Sequence, residues 1–248
     1  MPLQRGCGTP AAGVDLRGGS ALTRIALKPD ESWWVVVAID PLAVRILPFL
    51  LRFRSITPDL LTGVALALGV GAALSAFLGH ARLGALLFEV RFLVDCLDGK
   101  VARVRGTGSP FGAFFDRAAD LVGVGLSYCA LGYLAATTVP GFQRFTLLPA
   151  LLCTFAAAAE FLLASAKARA GRPGPSAVQS SAWGRWCSSH RLATRPWTVE
   201  AETLALFLVP LLVPGWAWAG LLIAVVFYSL ASLHDLVLAG ITLKRAAA

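Results

Sequence analysis

Between Asp95 and Asp120 the chain reads DCLDGKVARVRGTGSPFGAFFDRAAD. Asp95 and Asp98 stand at i and i+3, and Asp116 and Asp120 at i and i+4, so on two helices each pair shares a face. Helices so placed can aim all four carboxylates at one spot. In a low dielectric such a cluster repels itself and persists only with cations inside it. Hard divalent ions such as Mg²⁺ or Mn²⁺ take carboxylate and phosphate oxygens, and a two-metal site stabilises both attack and departure at phosphorus. The stretch therefore predicts phosphorus chemistry. Gly99, Ala102 and Gly112 interleave with the acids, and side chains this small let a flat ring or a phosphate approach the helix backbone. Gly106-Thr107-Gly108-Ser109-Pro110, between the halves, offers hydroxyls and backbone N–H groups to an anion.

The spacing runs Asp95, Asp98-Gly99, Ala102-Arg103, Gly112, Asp116, Asp120. It resembles the signature of the CDP-alcohol phosphotransferases, integral membrane enzymes that displace CMP from a CDP-linked substrate with an alcohol. No fixed position is missing, and eight fixed identities at fixed spacings are far more specific than a loose glycine motif. The bland reading of the stretch is a solvated acidic loop between helices. By the resemblance, Asp95, Asp98, Asp116 and Asp120 would hold two Mg²⁺ or Mn²⁺ ions against the diphosphate. Gly99, Arg103 and Ser109 would contact the CDP portion, and Asp120 would be the general base for the acceptor hydroxyl. Upstream, Thr57-Pro58-Asp59 precedes Thr62, where the family often has Thr/Ser-Pro-Asn followed by Thr near the nucleotide. Asp59 stands where Asn is usual. The expected CDP contacts are thus Asp59, Thr62, Gly99, Ala102, Arg103, Ser109 and Gly112; the plain structural alternative for Thr57-Pro58 is a helix start. The resemblance covers roughly residues 55 to 165 well and the rest by topology.

The elements that must position these residues follow from composition. Of 248 residues 57% are hydrophobic and 15% charged, and the mean hydropathy is +0.71, outside the soluble globular range. The fold class is an all-α integral membrane protein. Spans are placed near 60–81, 83–104, 111–136, 145–168, 199–214 and 216–240, the fifth being short for a bilayer of about 30 Å. Six transmembrane helices therefore make up a domain over 55–248. Residues 1–32, rich in Gly, Ala and Arg, lack a leader-like apolar run and read as a disordered cytoplasmic tail. Over 33–54 the pattern predicts an interfacial amphipathic helix that starts at Asp40-Pro41, with Trp33-Trp34 at the headgroup boundary. A soluble-core helix is the alternative there. Five cysteines without a CxxC pair indicate neither a disulfide framework nor a zinc site.

Basic residues sort the faces. Arg52, Arg54, Lys100, Arg103, Arg105, Arg117, Lys167, Arg169, Arg172, Arg185, Arg191, Arg195, Lys244 and Arg245 fall on one side, against Arg82 and Arg144 on the other. By the positive-inside rule both termini and the Asp cluster are cytoplasmic in a multi-pass protein of the cell membrane. The net charge of +8 then reflects topology and anionic lipid rather than nucleic acid. Arg91, four residues before Asp95, is placed to steady that carboxylate, with a structural bundle pair as the alternative; Glu89 and Glu160 have no assigned role. His234 and Asp235 read as packing and interfacial residues. The segment 167–199 carries no acid. Its Lys167, Arg191 and Arg195 are candidates to hold an acceptor phosphate, although topology alone also puts basic residues there, and Glu200 and Glu202 at its end are candidates to meet these arginines or a polyol hydroxyl.

The resulting expectation is transfer of a substituted phosphate, phosphatidyl from CDP-diacylglycerol, to a small polar and possibly phosphorylated alcohol with release of CMP, in phospholipid biosynthesis. The reverse arrangement, a CDP-linked polar headgroup delivered to a lipid alcohol, stays open, as does pairing into a homodimer. An ion transporter would scatter its carboxylates over several spans and needs no Gly/Ala spacing.

Overall fold

The structure, a computed structural model, describes residues 19–141, 146–170, 181–194 and 198–247. Among these the chain is all-helical apart from one isolated bridge between Glu31 and Leu192. α1 (Gly19–Ala26) comes first, and a π-helical stretch (Val35–Ile39) runs into α2 (Asp40–Arg52). α3 (Pro58–Phe77), α4 (Ala81–Arg105), α5 (Pro110–Thr138) and α6 (Leu148–Ala170) follow. After the short α7 (Ala182–Ser189), α8 (Thr198–Glu202) passes through a second π-helical stretch (Thr203–Leu208) into α9 (Val209–Leu212), and α10 (Ala217–Ala247) completes the order.

Four helical stretches, Pro58–Phe77, Pro110–Thr138, Leu148–Ala166 and Pro214–Lys244, are long and apolar enough to cross a membrane. Only 33% of the most apolar window of the first and 22% of that of the last lie buried, so their apolar surface faces outward, as a bilayer solvent requires. α4 has the length but carries Glu89, Arg91, Asp95, Asp98 and Lys100, and it turns Arg91, Asp98 and Lys100 into the bundle. The stretch 198–212 is well short of 30 Å at about 1.5 Å per residue.

One core cluster joins α3 through Ala72, α4 through Phe88, α5 through Val124, Tyr128 and Leu131, α6 through Cys153 and Ala156, and α10 through Leu221 and Tyr228. A second binds the N-terminal elements to α4: Leu22 and Ala26 of α1 and Ala43 and Leu47 of α2 bury against Leu97 and Val101. Residues 19–26 are therefore a packed helix where composition alone suggested a tail, because Leu22 and Ala26 find apolar partners that lie far along the chain; residues 1–18 lie outside the described residues. The helix expected to begin at Asp40 begins earlier, at Trp33. Asp40 is helical at φ −57° and ψ −42°, and its carboxylate is free to act elsewhere. Trp34 Nε1–H donates to Glu89 Oε1 at 2.8 Å. Among the described residues Cys96, Cys129, Cys153 and Cys187 are free thiols.

Candidate active site

α4 brings Asp95 and Asp98, and α5 brings Asp116, to one place: a carboxylate oxygen from each lies within 4.8 Å of the others. Thr62 of α3 donates its hydroxyl to Asp98 Oδ2 at 2.5 Å, which fixes that carboxylate from the third helix. Asp95 Oδ1 is buried with no hydrogen-bond partner. Three converging carboxylates, one of which has an unpartnered oxygen in the interior, offer the hard oxygen donors that a divalent cation of the Mg²⁺ or Mn²⁺ class takes.

Asp120 stands outside that triangle. Its Oδ1 is paired with the guanidinium of Arg91, whose side chain is 1% exposed. Arg91 thus reaches across to α5, although its spacing suggested Asp95 on its own helix; Asp95 and Glu202 still contribute to the field it feels. Two glycines open its route. A Cβ on Gly123 would come within 3.3 Å of Arg91 Nε, and one on Gly69 within 3.2 Å of the Gly123 Cα, so α3 and α5 approach closely enough to sheathe the guanidinium only because neither residue has a side chain.

On one side of the acids lies a cavity of about 240 Å³, lined by Asp59, Thr62, Asp98, Gly99, Ala102, Arg103, Ser109, Gly112 and Asp116 among others. All seven residues expected to contact CDP are in it. Two helix N-termini open onto it. Thr57 Oγ1 accepts from Leu60 N at 3.2 Å at the start of α3, and Ser109 Oγ accepts from Gly112 N at 2.9 Å at the start of α5. The amide ends of two helices favour an anion at that place. Arg103 keeps one nitrogen on the Ala26 carbonyl at 2.9 Å while lining the cavity.

On the other side lies a second cavity, of about 160 Å³, whose polar lining is Arg117, Asp120, Thr198, Glu202, Tyr228 and Asp235. Tyr228 donates to Glu202 Oε1 at 2.7 Å. Asp235, expected to be interfacial, faces this space as well as His234, whose Nδ1 is 2.8 Å from its Oδ1. Glu200 does not meet an arginine here: its Oε1 accepts from the backbone N–H groups of Trp33 at 2.7 Å and Trp34 at 3.4 Å.

A family model described as CDP-alcohol phosphatidyltransferase matches residues 55–231. The chain belongs to the CDP-alcohol phosphatidyltransferase family. This is a family of transferases that use Mg²⁺ or Mn²⁺, in keeping with the oxygen donors of Asp95, Asp98 and Asp116. The chain is 38% identical over 82 residues to a phosphatidylinositol phosphate synthase of Mycolicibacterium smegmatis, over 33% of this chain and 37% of that protein. It is 40% identical over 81 residues to the protein of the same name in Mycobacteroides abscessus, over 32% of this chain and 37% of that one. These matches span little more than a third of the relatives' length. The fold is similar to that of Mycobacterium tuberculosis phosphatidylinositol phosphate synthase crystallised with manganese and citrate, with a TM-score of 0.52 and 22% identity over 81% of this chain and 88% of that one.

Of the candidate acceptor residues, Lys167 lies near the end of α6 and Arg195 lies outside the described residues. Arg191 is committed elsewhere. Its NH2 pairs with Asp40 Oδ2 at 2.9 Å and its Nε–H donates to the Lys28 carbonyl at 2.9 Å. What the sequence did not single out is Arg91 as the partner of Asp120, with Gly69 and Gly123 around it, and Tyr228 and Asp235 in the cavity that Asp120 lines. Arg91 in an apolar run was the visible signal; nothing in the spacing announces the glycines or Tyr228.

Proposed function

We propose that this protein transfers a phosphatidyl group from CDP-diacylglycerol to a small polar, phosphorylated alcohol and releases CMP, as a step of phospholipid synthesis. One observation supports this reading above the others: the acids stand between two cavities. Asp98 and Asp116 line the one that holds every expected CDP contact, and Asp120 lines the other. A donor phosphorus held over Asp95, Asp98 and Asp116 is then open to attack from the Asp120 side.

Asp120 takes the proton of the acceptor hydroxyl, the acceptor oxygen forms a bond to the phosphorus that bears the lipid, and the P–O bond to CMP breaks, with the electron pair leaving on CMP. Asp95, Asp98 and Asp116 would hold two divalent ions, Asp120 completing the set; these supply charge neutralisation for the diphosphate and the departing phosphate. Arg91 keeps Asp120 aimed by its contact from within the bundle. Arg103, Ser109 and the starts of α3 and α5 hold the nucleotide, and Lys167 and Arg195 are assigned to an acceptor phosphate. The phosphorylated acceptor also accords with the names of the relatives above. We place the four apolar helices, α4 and the stretch 198–212 as six spans, with α2 at the interface and both termini and the site cytoplasmic, from the distribution of basic residues.

The test follows CMP release by the purified protein from CDP-diacylglycerol with a panel of polyols and polyol phosphates. Release with phosphorylated acceptors is expected. Release only from a CDP-linked headgroup with a lipid alcohol would reverse donor and acceptor, and release with neither pair would end the reading.

A further inference from the structure

Asp40 is 4% exposed, and it lies between Lys100 of α4 and Arg191, which follows α7. Its Oδ1 is 2.9 Å from Nζ of Lys100, itself 2% exposed, and its Oδ2 is 2.9 Å from NH2 of Arg191. Lys100 sits on α4, two residues after Asp98 and one after Gly99, on the donor side. Arg191 belongs to the loop that leads into α8, whose Thr198 and Glu202 line the cavity beside Asp120. The carboxylate and the Lys100 ammonium are buried while the Arg191 side chain is 30% exposed, and the two ion pairs tie Asp40 to residues 60 and 151 positions away in the chain.

Further contacts hold the same strut. Glu31 N donates to the Arg191 carbonyl at 3.0 Å, and Ala193 N donates back to the Glu31 carbonyl at 2.7 Å. Glu200 of α8 accepts from Trp33 N at 2.7 Å, and Trp33 Nε1–H donates to the Ala193 carbonyl at 2.9 Å. Arg191 itself has φ +60°, a left-handed backbone that a residue with a Cβ adopts only where its surroundings demand it. Residues 28–40 are thus clamped to the loop and α8 on one side and to the helix of Asp95 and Asp98 on the other.

We propose that Asp40 is a positioning residue for the transfer: through Lys100 and Arg191 it holds the donor wall and the acceptor wall at a fixed separation, without touching either substrate. We take the identity of the two walls from the phosphotransfer reading above; the contacts stand without it. In-line attack depends on that separation, and a misplacement of about 1 Å costs up to about 100-fold in rate. Arg191 accordingly acts through Asp40 rather than by holding an acceptor phosphate.

The test is a double-mutant cycle of Arg191→Gln and Asp40→Asn, with Arg191→Lys as the conservative variant and rates counted per CDP-binding site. Arg191→Gln is expected to lower kcat about tenfold with both KM values within about twofold of the parent. Arg191→Lys should restore most of the loss, and adding Asp40→Asn to Arg191→Gln should cost little more, because the two share one contact. Asp40→Asn strands the Lys100 charge, so Asp40→Asn/Lys100→Met, which removes it, replaces the single variant if that does not fold. Independently of turnover, amide hydrogen exchange over 32–40 should quicken in Arg191→Gln. A raised acceptor KM at unchanged kcat would make Arg191 a substrate contact and overturn the proposal. Unchanged exchange and kinetics would overturn it too, as would additive effects of the two substitutions. Absence of CMP release by the parent protein with any substrate pair, while exchange responds as expected, would fault the phosphotransfer reading and leave the strut standing.

Discussion

The two cavities beside the acids are built in opposite ways. Every residue lining the cavity proposed for the donor lies between Pro58 and Asp116, on the starts of α3 and α5 and the end of α4, three helices that follow one another in the chain. The cavity proposed for the acceptor takes Arg117 and Asp120 from α5, Thr198 and Glu202 from α8, and Tyr228 and Asp235 from α10. The first is built from consecutive helices, on each of which helical spacing sets which groups share a face. The second exists only once α5, α6, α8 and α10 have packed. Donor recognition should therefore survive changes in the second half of the chain, while acceptor recognition should depend on that packing.

The largest effect that tests this contrast is metal removal. Excess EDTA should abolish CMP release and added Mg²⁺ or Mn²⁺ should restore it, since Asp95, Asp98 and Asp116, within 4.8 Å of one another, otherwise repel the diphosphate as well as each other. Full turnover in excess chelator would mean that the local cluster is not a metal site. Next comes Asp120→Asn, in the second cavity. An amide cannot take the acceptor proton, so kcat should fall by about 10² to 10⁴-fold while CDP binding measured by calorimetry stays near that of the parent. Should Asp116→Asn abolish turnover while Asp120→Asn leaves it near normal, the two acids would exchange roles.

The same contrast explains what could be read before the structure. The convergence of the acids, and the gathering of the small residues among them with Asp59, Thr62, Arg103 and Ser109 into one cavity, were legible because a helix converts spacing into geometry. Thr62 is the clearest instance: its contact with Asp98 joins two helices, yet its place after Thr57-Pro58 already marked it. Arg91 was legible as an unusual charge and misread as to partner, because i, i+4 spacing offers Asp95 and says nothing of a side chain that leaves its own helix between Gly69 and Gly123. Asp40 was read as a helix start, a local role, whereas its partners Lys100 and Arg191 are remote in sequence. Four of the expected span positions were legible from apolar runs, but α1 was not, since two buried residues in a Gly- and Arg-rich segment give no pattern.

A smaller effect separates the sheath of Arg91 from generic helix packing. Gly123→Val would put a side chain where a bare Cβ already comes within 3.3 Å of Arg91 Nε, pushing the guanidinium off Asp120. kcat should drop by about tenfold to 100-fold, with donor KM little changed. Gly125→Val on the same helix is the control, because a Cβ there meets nothing within 4 Å. Equal losses in both variants would attribute the effect to a β-branched residue in α5 rather than to Arg91.

The smallest effect probes the packed half alone. Tyr228 is 2% exposed, and its hydroxyl donates to Glu202 Oε1 at 2.7 Å, so Tyr228→Phe keeps the ring and its edge-on contact with Tyr128 at 5.6 Å while removing one hydrogen bond. A bond to a charged group contributes about 1.5–3 kcal/mol, and part of this is regained if Glu202 turns into the cavity it lines. The acceptor KM should rise by roughly three- to tenfold, with donor KM and CDP binding unchanged. A change in donor KM of the same size would show that the two cavities are not separate in energy, and that the helices behind Asp120 also set the geometry in front of it.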